Sequence, residues 1–315
     1  MTSSHVSDAP SPKRKSTSVI PKDALFELEE KVSRAILTGD TSELNVLGYG
    51  EITSVLSCHR PEGSWACKRL PPFPDTEAIE RYRRTFDAYL SRLTDAGVSV
   101  LPSEIHEVKV DGELPTLWCV QPLMDRRCFL VETIGSADPA ESCEIFDLLI
   151  ERLSKAVGPR LGIDAQASNW VLEHGEPLYL DVTTPLMRDE NGRELLDIEL
   201  FLASLPFALR KATRRFLLGS ILDKYYSLRS GLVDFLGNLI KERLEPMLPL
   251  LLPRANRVVN PAITEEELTR YYRWDARMWR ALMWIRMLDR SWQLRVRRRP
   301  YPFLLPGKID RNTRR

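Results

Sequence analysis

Leu161-Gly162-Ile163-Asp164-Ala165-Gln166-Ala167-Ser168-Asn169-Trp170 is the stretch on which the reading of this chain turns, together with Asp181, twelve residues beyond Asn169. The aspartate and asparagine, five positions apart, stand in a loop between a helical pattern, about Pro139 to Val157, and a strand-like run, Trp170 to Leu172. The turn His174-Gly175 then leads into a second run, Leu178 to Asp181, which a second carboxylate closes. Phosphoryl transfer calls for one carboxylate to orient a hydroxyl, and for an amide oxygen and another carboxylate to hold magnesium on phosphates. Asp164, Asn169 and Asp181 are that set of groups.

Upstream of this stretch, a helical pattern from about Asp23 to Thr38 is followed by short strand-like runs. These are Leu44 to Gly48, Ser54 to Cys58, Trp65 to Leu70, His106 to Val110 and Thr116 to Gln121, with turn residues at Pro61-Glu62-Gly63 and Asp111-Gly112. One long helix interrupts them, about Thr76 to Asp95, with Asp75 placed as its N-cap and Gly97 just past its end. Gly48-Tyr49-Gly50 lies between the first two runs, where backbone N–H groups can approach phosphate oxygens. One hairpin later Ala66-Cys67-Lys68 sets a lysine in a strand, and the long helix offers Glu80, or else Asp87, as an acidic partner for it.

The order Gly48-x-Gly50-x-x-Thr53-x-Val55, Ala66-x-Lys68, Asp164-x4-Asn169, Asp181 resembles the protein-kinase-like superfamily, including its aminoglycoside- and choline-kinase-like branches, over about residues 41 to 205. The phrases Leu-Gly-Tyr-Gly-Glu, Cys-Lys-Arg-Leu-Pro-Pro-Phe and Leu-Asp-Val-Thr-Thr-Pro look like an uncharacterised, mainly bacterial family of that fold. The resemblance implies an α+β, two-lobed kinase-like fold: a small antiparallel-sheet lobe with one long helix, then a larger, mostly helical lobe. Its parts would be a disordered tail (1–22), the first lobe (23–121), a hinge (122–126), the helical lobe with the catalytic loop (127–305) and a basic tail (306–315).

By the same resemblance ATP and magnesium are the expected ligands. Gly48 and Gly50 would cover the phosphates, Lys68 would contact them and Glu80 would brace Lys68. Asp164 would be the catalytic base, Asn169 and Asp181 the magnesium ligands, and the backbone from Cys119 to Met124, Gln121 included, would meet the adenine. The pattern also departs from the family. Gly162-Ile163 replaces the His-Arg or His-Gly that often precedes the aspartate, Gln166 stands where a lysine or histidine is usual, and Val182-Thr183 follows Asp181 in place of Phe-Gly. No Ala-Pro-Glu element closes an activation segment between Asp181 and the helix expected from Glu194. The implied activity is phosphotransfer to a small-molecule acceptor, and the alternative is a catalytically weak or inactive nucleotide-binding or scaffold protein.

Composition sets the outer bounds. The chain has 315 residues, 43% of them hydrophobic and 28% charged, enough apolar material for a substantial core. Lysine and arginine number 45 against 44 acidic residues, so overall charge gives no reason to expect a nucleic-acid partner. Five cysteines without C-x-x-C spacing read as reduced thiols, and no leader-like run opens the chain, so a cytoplasmic address is expected. Met247 to Leu252 is too short to span a bilayer, and no membrane partner is expected.

Four more helices are read after Asp181: Glu194 to Leu205, Phe207 to Ser227, Leu232 to Leu244 and Glu265 to Arg297. The aromatic residues Tyr271, Tyr272, Trp274, Trp279 and Trp284 of the last are expected to pack against neighbouring helices. The arginines among them and the basic end, Arg295, Arg297, Arg298, Arg299, Arg311, Arg314 and Arg315, leave a macromolecular partner as a further reading.

Overall fold

Pro21 holds the backbone extended at φ −60° and ψ 137°, and the chain then turns into helix α1, Lys22–Thr38. Ala24, Leu25, Leu28, Val32 and Ala35 recur at helical spacing and are buried, which gives α1 one face to pack. The helix ends at Gly39, whose N–H returns to the Ala35 carbonyl at 2.8 Å. The computed structural model of the chain describes residues 19–50, 53–109, 115–202, 210, 218–298 and 301–305. Several expectations lie outside them: residues 1–18 of the tail with Lys13-Arg14-Lys15, the turn Asp111-Gly112, residues 207–209 and 211–217 of the helix read from Phe207 to Ser227, and Arg299 with the segment 306–315.

The fold is α+β. Five strands, β1 (Val46–Tyr49), β2 (Ser54–Arg60), β3 (Gly63–Arg69), β4 (Glu104–Val108) and β5 (Thr116–Pro122), form an antiparallel sheet in the order β1-β2-β3-β5-β4. Alternation decides what each face does. Leu56, Cys58, Trp65, Cys67, Trp118 and Val120 face α1 and make one apolar cluster with it. A buried carboxylate, Glu29, crosses that interface: it accepts from Arg69 Nη2 at 2.7 Å and from Trp118 Nε1 at 2.9 Å. The charge is held by two strands at once, which satisfies it away from water.

The register pairs Lys68 with Val55 and with Cys119, so these three project from the opposite face. That face is covered by α2, Thr76–Asp95, where Ile79, Tyr82, Phe86, Tyr89 and Leu93 form the buried stripe. Asp75 caps α2 by accepting from Ala78 N at 2.7 Å, as the sequence implied. Leu117 and Cys119 of the sheet share one continuous apolar cluster with α2 and with the helices that follow, so the core runs unbroken from the sheet into them. Full burial of Phe86, Tyr89 or Leu93 contributes about 1.5–3 kcal/mol each.

Beyond β5 come α3 (Leu130–Ser136) and α4 (Pro139–Ala156), then the hairpin β6 (Trp170–Glu173) and β7 (Glu176–Tyr179), then α5 (Ile198–Leu202) and α6 (Leu218–Asp223). The chain continues through α7 (Leu228–Lys241), α8 (Leu248–Ala255) and α9 (Glu265–Arg295). No helix among the described residues is long and apolar enough to cross a membrane.

Several boundaries differ from the sequence reading. The helix placed at Glu194 starts at Ile198, because Leu195 N is used by the Met187 carbonyl at 2.8 Å and Asp197 caps the turn through Glu199 N at 2.9 Å. Asp181 lies past the end of β7 rather than within it, since Leu180 N is taken by the Asn169 carbonyl at 3.0 Å. Helix α3 had no periodic signal of its own, being a seven-residue element built around Leu130 and Ile134. The largest departure is in α9, where Trp274 is 54% and Trp284 63% exposed rather than packed. Its inner face, with Leu268 and Ala276 buried, is the one turned to the protein.

Candidate functional site

Lys68 and Asp181, 113 residues apart in sequence, meet where the sheet faces the β6–β7 hairpin: Lys68 Nζ donates to Asp181 Oδ1 at 2.5 Å. Both side chains keep partial contact with solvent. Asp181 is fixed from three sides. Thr183 Oγ1 donates to its Oδ1 at 3.3 Å, Tyr82 of α2 donates to the Thr183 carbonyl at 2.9 Å, and Gln121 Nε2 donates to the Leu180 carbonyl at 2.8 Å. Gln121, expected to offer only its backbone to a ligand, thus also uses its side chain to hold the residue before Asp181, and a second bond from Nε2 to Ser103 Oγ at 2.8 Å locks it.

The expected brace from α2 is not formed. Glu80 and Asp87 are both exposed, and neither pairs with Lys68 among the described residues. The reason lies in the helix phase. Ile79, Tyr82, Phe86 and Tyr89 occupy the inner stripe, and successive residues turn by about 100°, so Glu80 points away from the sheet. The inward polar groups of α2 include the Tyr82 hydroxyl, where burial, with the nearby Cys119 and Asp181, holds the phenol well above its ordinary pKa, so it acts as a neutral donor.

Gly48 pairs with Val55 and Tyr49 with Ser54 at the end of the sheet. Gly50 N donates to the Thr53 carbonyl at 2.9 Å, and a β-carbon at position 50 would fall 2.8 Å from Thr53 Oγ1, so a side chain there would require the Thr53 hydroxyl to move. At Gly48 nothing among the described residues lies within 4 Å of the corresponding position. Glu51 and Ile52 lie outside the described residues.

The loop 162–169 is held without the His-Arg pair. Gly162 N donates to the Leu186 carbonyl at 2.9 Å, Ile163 N to the Tyr225 carbonyl at 3.1 Å, and Tyr89 of α2 donates to the Gly162 carbonyl at 2.9 Å. A β-carbon on Gly162 would stand 3.1 Å from Leu186 Cβ and Tyr226 Cε1, so close packing replaces the absent side chain. Further along, Ser168 N donates to Asn238 Oδ1 of α7 at 3.3 Å, and Asn169 Nδ2 donates to the Asp164 carbonyl at 3.3 Å. The second bond uses the amide nitrogen of Asn169, and its side-chain oxygen accepts no hydrogen bond among the described residues.

Beneath this loop lies a charged group that the sequence did not point to. Lys224 Nζ donates to Asp234 Oδ2 at 3.1 Å and the Tyr271 hydroxyl to Asp234 Oδ1 at 2.8 Å, joining α7 and α9 below Asp164. The Asp164 carboxyl is pushed up to about 7 by burial and by the Asp234 charge; Lys224 works against this, Asp181 adds to it, and the Gln166 N–H offsets a little. Burial disfavours the Lys224 ammonium, but Tyr225, Asp234, Tyr271 and Asp164 outweigh it, and the pKa stays above the usual lysine value. No sequence pattern announces this cluster, because its members come from three separate elements and meet only through packing.

All five cysteines are free thiols. Among the described residues no group of three or more His, Cys, Asp or Glu side chains is placed to hold a metal ion by itself. Residues 27–290 match the profile of a family described as "Family of unknown function (DUF6206)". No curated protein matches the chain.

Proposed function

We propose, from the premise that the chain belongs to the family of unknown function DUF6206, that it is a phosphotransferase of two-lobed, protein-kinase-like fold that uses ATP and magnesium and acts on a small-molecule acceptor. The observation that carries this reading is the Lys68–Asp181 pair, which brings a strand lysine and a carboxylate from a distant hairpin to one cleft beside the loop bearing Asp164 and Asn169. In this reading the sheet with α1 and α2 is the nucleotide-binding lobe, the segment 122–126 the hinge, and the remaining helices the second lobe.

The donor set fits magnesium. Asp181 Oδ2 carries no hydrogen bond among the described residues, and Asn169 has its amide nitrogen occupied, so two oxygens are available to a hard cation that usually takes the rest of its shell from phosphate and water. Bound there, magnesium would neutralise charge on the phosphates. Lys68 would exchange part of its contact with Asp181 for a phosphate oxygen, and the strand at Gly48, where no described residue lies within 4 Å of a β-carbon's position, would admit the polyanion against backbone N–H groups. Asp164 would accept the proton of the acceptor hydroxyl, and a carboxyl poised near 7 suits a base working at neutral pH. Tyr82, Gln121 and Tyr89 would hold these groups in position.

Two features favour a second reading, nucleotide binding without efficient transfer: Lys68 lacks a brace from α2, and Gln166 supplies no cation beside Asp164. Magnesium-dependent turnover of ATP against a panel of small hydroxyl and amine acceptors separates the two. The proposal expects turnover that Asp164→Asn abolishes while nucleotide affinity stays within about threefold, since only a proton acceptor is lost. Turnover unchanged in Asp164→Asn would remove Asp164 from the chemistry, and nucleotide binding with no turnover would favour the second reading.

A further inference from the structure

The outer face of α9 is made of two residue classes. From 268 to 298, the helix and the three residues after it, the exposed positions hold seven arginines, with no lysine and no acidic residue. Asp275 and Asp289 are turned partly inward, and the acidic run Glu265–Glu267 sits at the N-terminal end, where Glu266 reaches Arg270 at 4.0 Å. The chain as a whole carries a formal charge of only +1, so this is a local segregation of charge.

The apolar members of the face are large. Trp284 and Trp292 are 63% and 56% exposed, and Met287, Leu288 and Leu294 lie beside them. They form a patch about 15 Å long from Trp284 to Leu294 at 1.5 Å per residue. Arginines bracket it: Arg270, Arg273, Arg277 and Arg280 on one side, Arg295, Arg297 and Arg298 on the other. The far end of the helix is fastened to the sheet, since Arg286 Nε donates to the Tyr301 hydroxyl at 3.4 Å and Arg69 Nη1 to the Pro302 carbonyl at 3.4 Å. The face is therefore presented by an element anchored at both ends.

We infer that this face docks the protein on the surface of an anionic phospholipid bilayer, with the Trp284–Leu294 patch in the headgroup boundary and the flanking guanidinium groups on lipid phosphates. Indole rings favour that boundary, guanidinium pairs with phosphate bidentately, and long arginine stems let the charge stay in the wet layer while the helix settles. A nucleic acid would use the arginines but would leave Met287, Leu288 and Leu294 with nothing to bury against. A second copy of this chain would set seven arginines against seven. Of the stretches of seven or more residues outside the described ones, 1–18, 211–217 and 306–315 are net basic and 203–209 carries no charge, so none of them offers acidic groups to the arginines. The expectation of no membrane partner rested on the lack of a spanning segment, which a helix lying on a surface does not need.

Co-sedimentation of the full chain with vesicles tests this, using phosphatidylcholine alone and phosphatidylcholine with phosphatidylglycerol at about two to one. Binding is expected to the anionic vesicles and to be at least about tenfold weaker on the neutral ones. Each arginine near an anionic surface contributes roughly fivefold, so Arg295→Gln/Arg297→Gln/Arg298→Gln should weaken binding about a hundredfold. Trp284→Ser/Trp292→Ser should weaken it at least about tenfold, with an unchanged thermal midpoint because both rings are exposed. No sedimentation of the folded wild type overturns the inference, as does binding indifferent to the two tryptophans. A polynucleotide that displaces the vesicles and is itself held through those tryptophans would give the face to nucleic acid.

Discussion

Replacing Asp164 by asparagine should stabilise the protein at alkaline pH, and the size and sign of that gain follow from the site. The native carboxyl titrates near 7 instead of 3.8, because burial and the Asp234 charge oppose its ionisation. Between those values the folded state binds more protons than the unfolded state, so stability falls as pH rises through the window and the loss is complete above about 7. The full shift would amount to about 4 kcal/mol at 1.36 kcal/mol per unit. Asp164 is only half-buried, and residual solvation reduces the expected effect to about 1–2 kcal/mol. Asparagine keeps an oxygen for the Gln166 N–H and carries no charge. Urea unfolding of both proteins, in chelator and without nucleotide, should show equal stability near pH 4 and the variant ahead by about 1–2 kcal/mol near pH 8, or roughly 2–6 °C in midpoint. A variant less stable than wild type near pH 8, or a gap of the same size at both pH values, would refute the electrostatic account of this loop.

Other substitutions probe neighbouring parts of the argument. Glu29→Ala strands the Arg69 guanidinium and the Trp118 N–H in the α1–sheet interface and should cost about 3–5 kcal/mol in denaturant unfolding. Gly162→Ala forces a methyl group against Leu186 and Tyr226 and should cost about 1–3 kcal/mol by the same assay. Glu80→Gln, on the exposed side of α2, should change stability by less than about 0.5 kcal/mol and leave nucleotide affinity as it was; a tenfold loss of affinity would restore Glu80 as the brace of Lys68.

Local chemistry made much of the fold readable. The five sheet strands follow alternation and turn residues, and α2 follows its stripe and the Asp75 cap, so each could be placed from residues close in sequence. The loop carrying Asp164 and Asn169 was legible for the same reason: a helix, a loop and a hairpin follow one another directly. The partner of Lys68 was not. Glu80 and Asp181 are both acidic, and the choice between them depends on the phase of α2 against the sheet and on a hairpin 113 residues away. The Lys224–Asp234–Tyr271 cluster was hidden likewise, since it forms only when α7 and α9 pack. Periodicity located the aromatic residues of α9 on a helix but could not say that Trp284 and Trp292 would be left uncovered.

The proposed convergence of Lys68, Asn169 and Asp181 on one bound polyanion is open to a direct test by calorimetric titration with a non-hydrolysable ATP analogue, in magnesium and in chelator. Wild type should bind in magnesium and lose at least about tenfold in chelator, in Asp181→Ala and in Lys68→Met, since on the proposed reading each removes a charge that would face the phosphates or the metal. Failure of the folded wild type to bind the analogue, or equal affinity in Asp181→Ala, would contradict the assignment of this cleft.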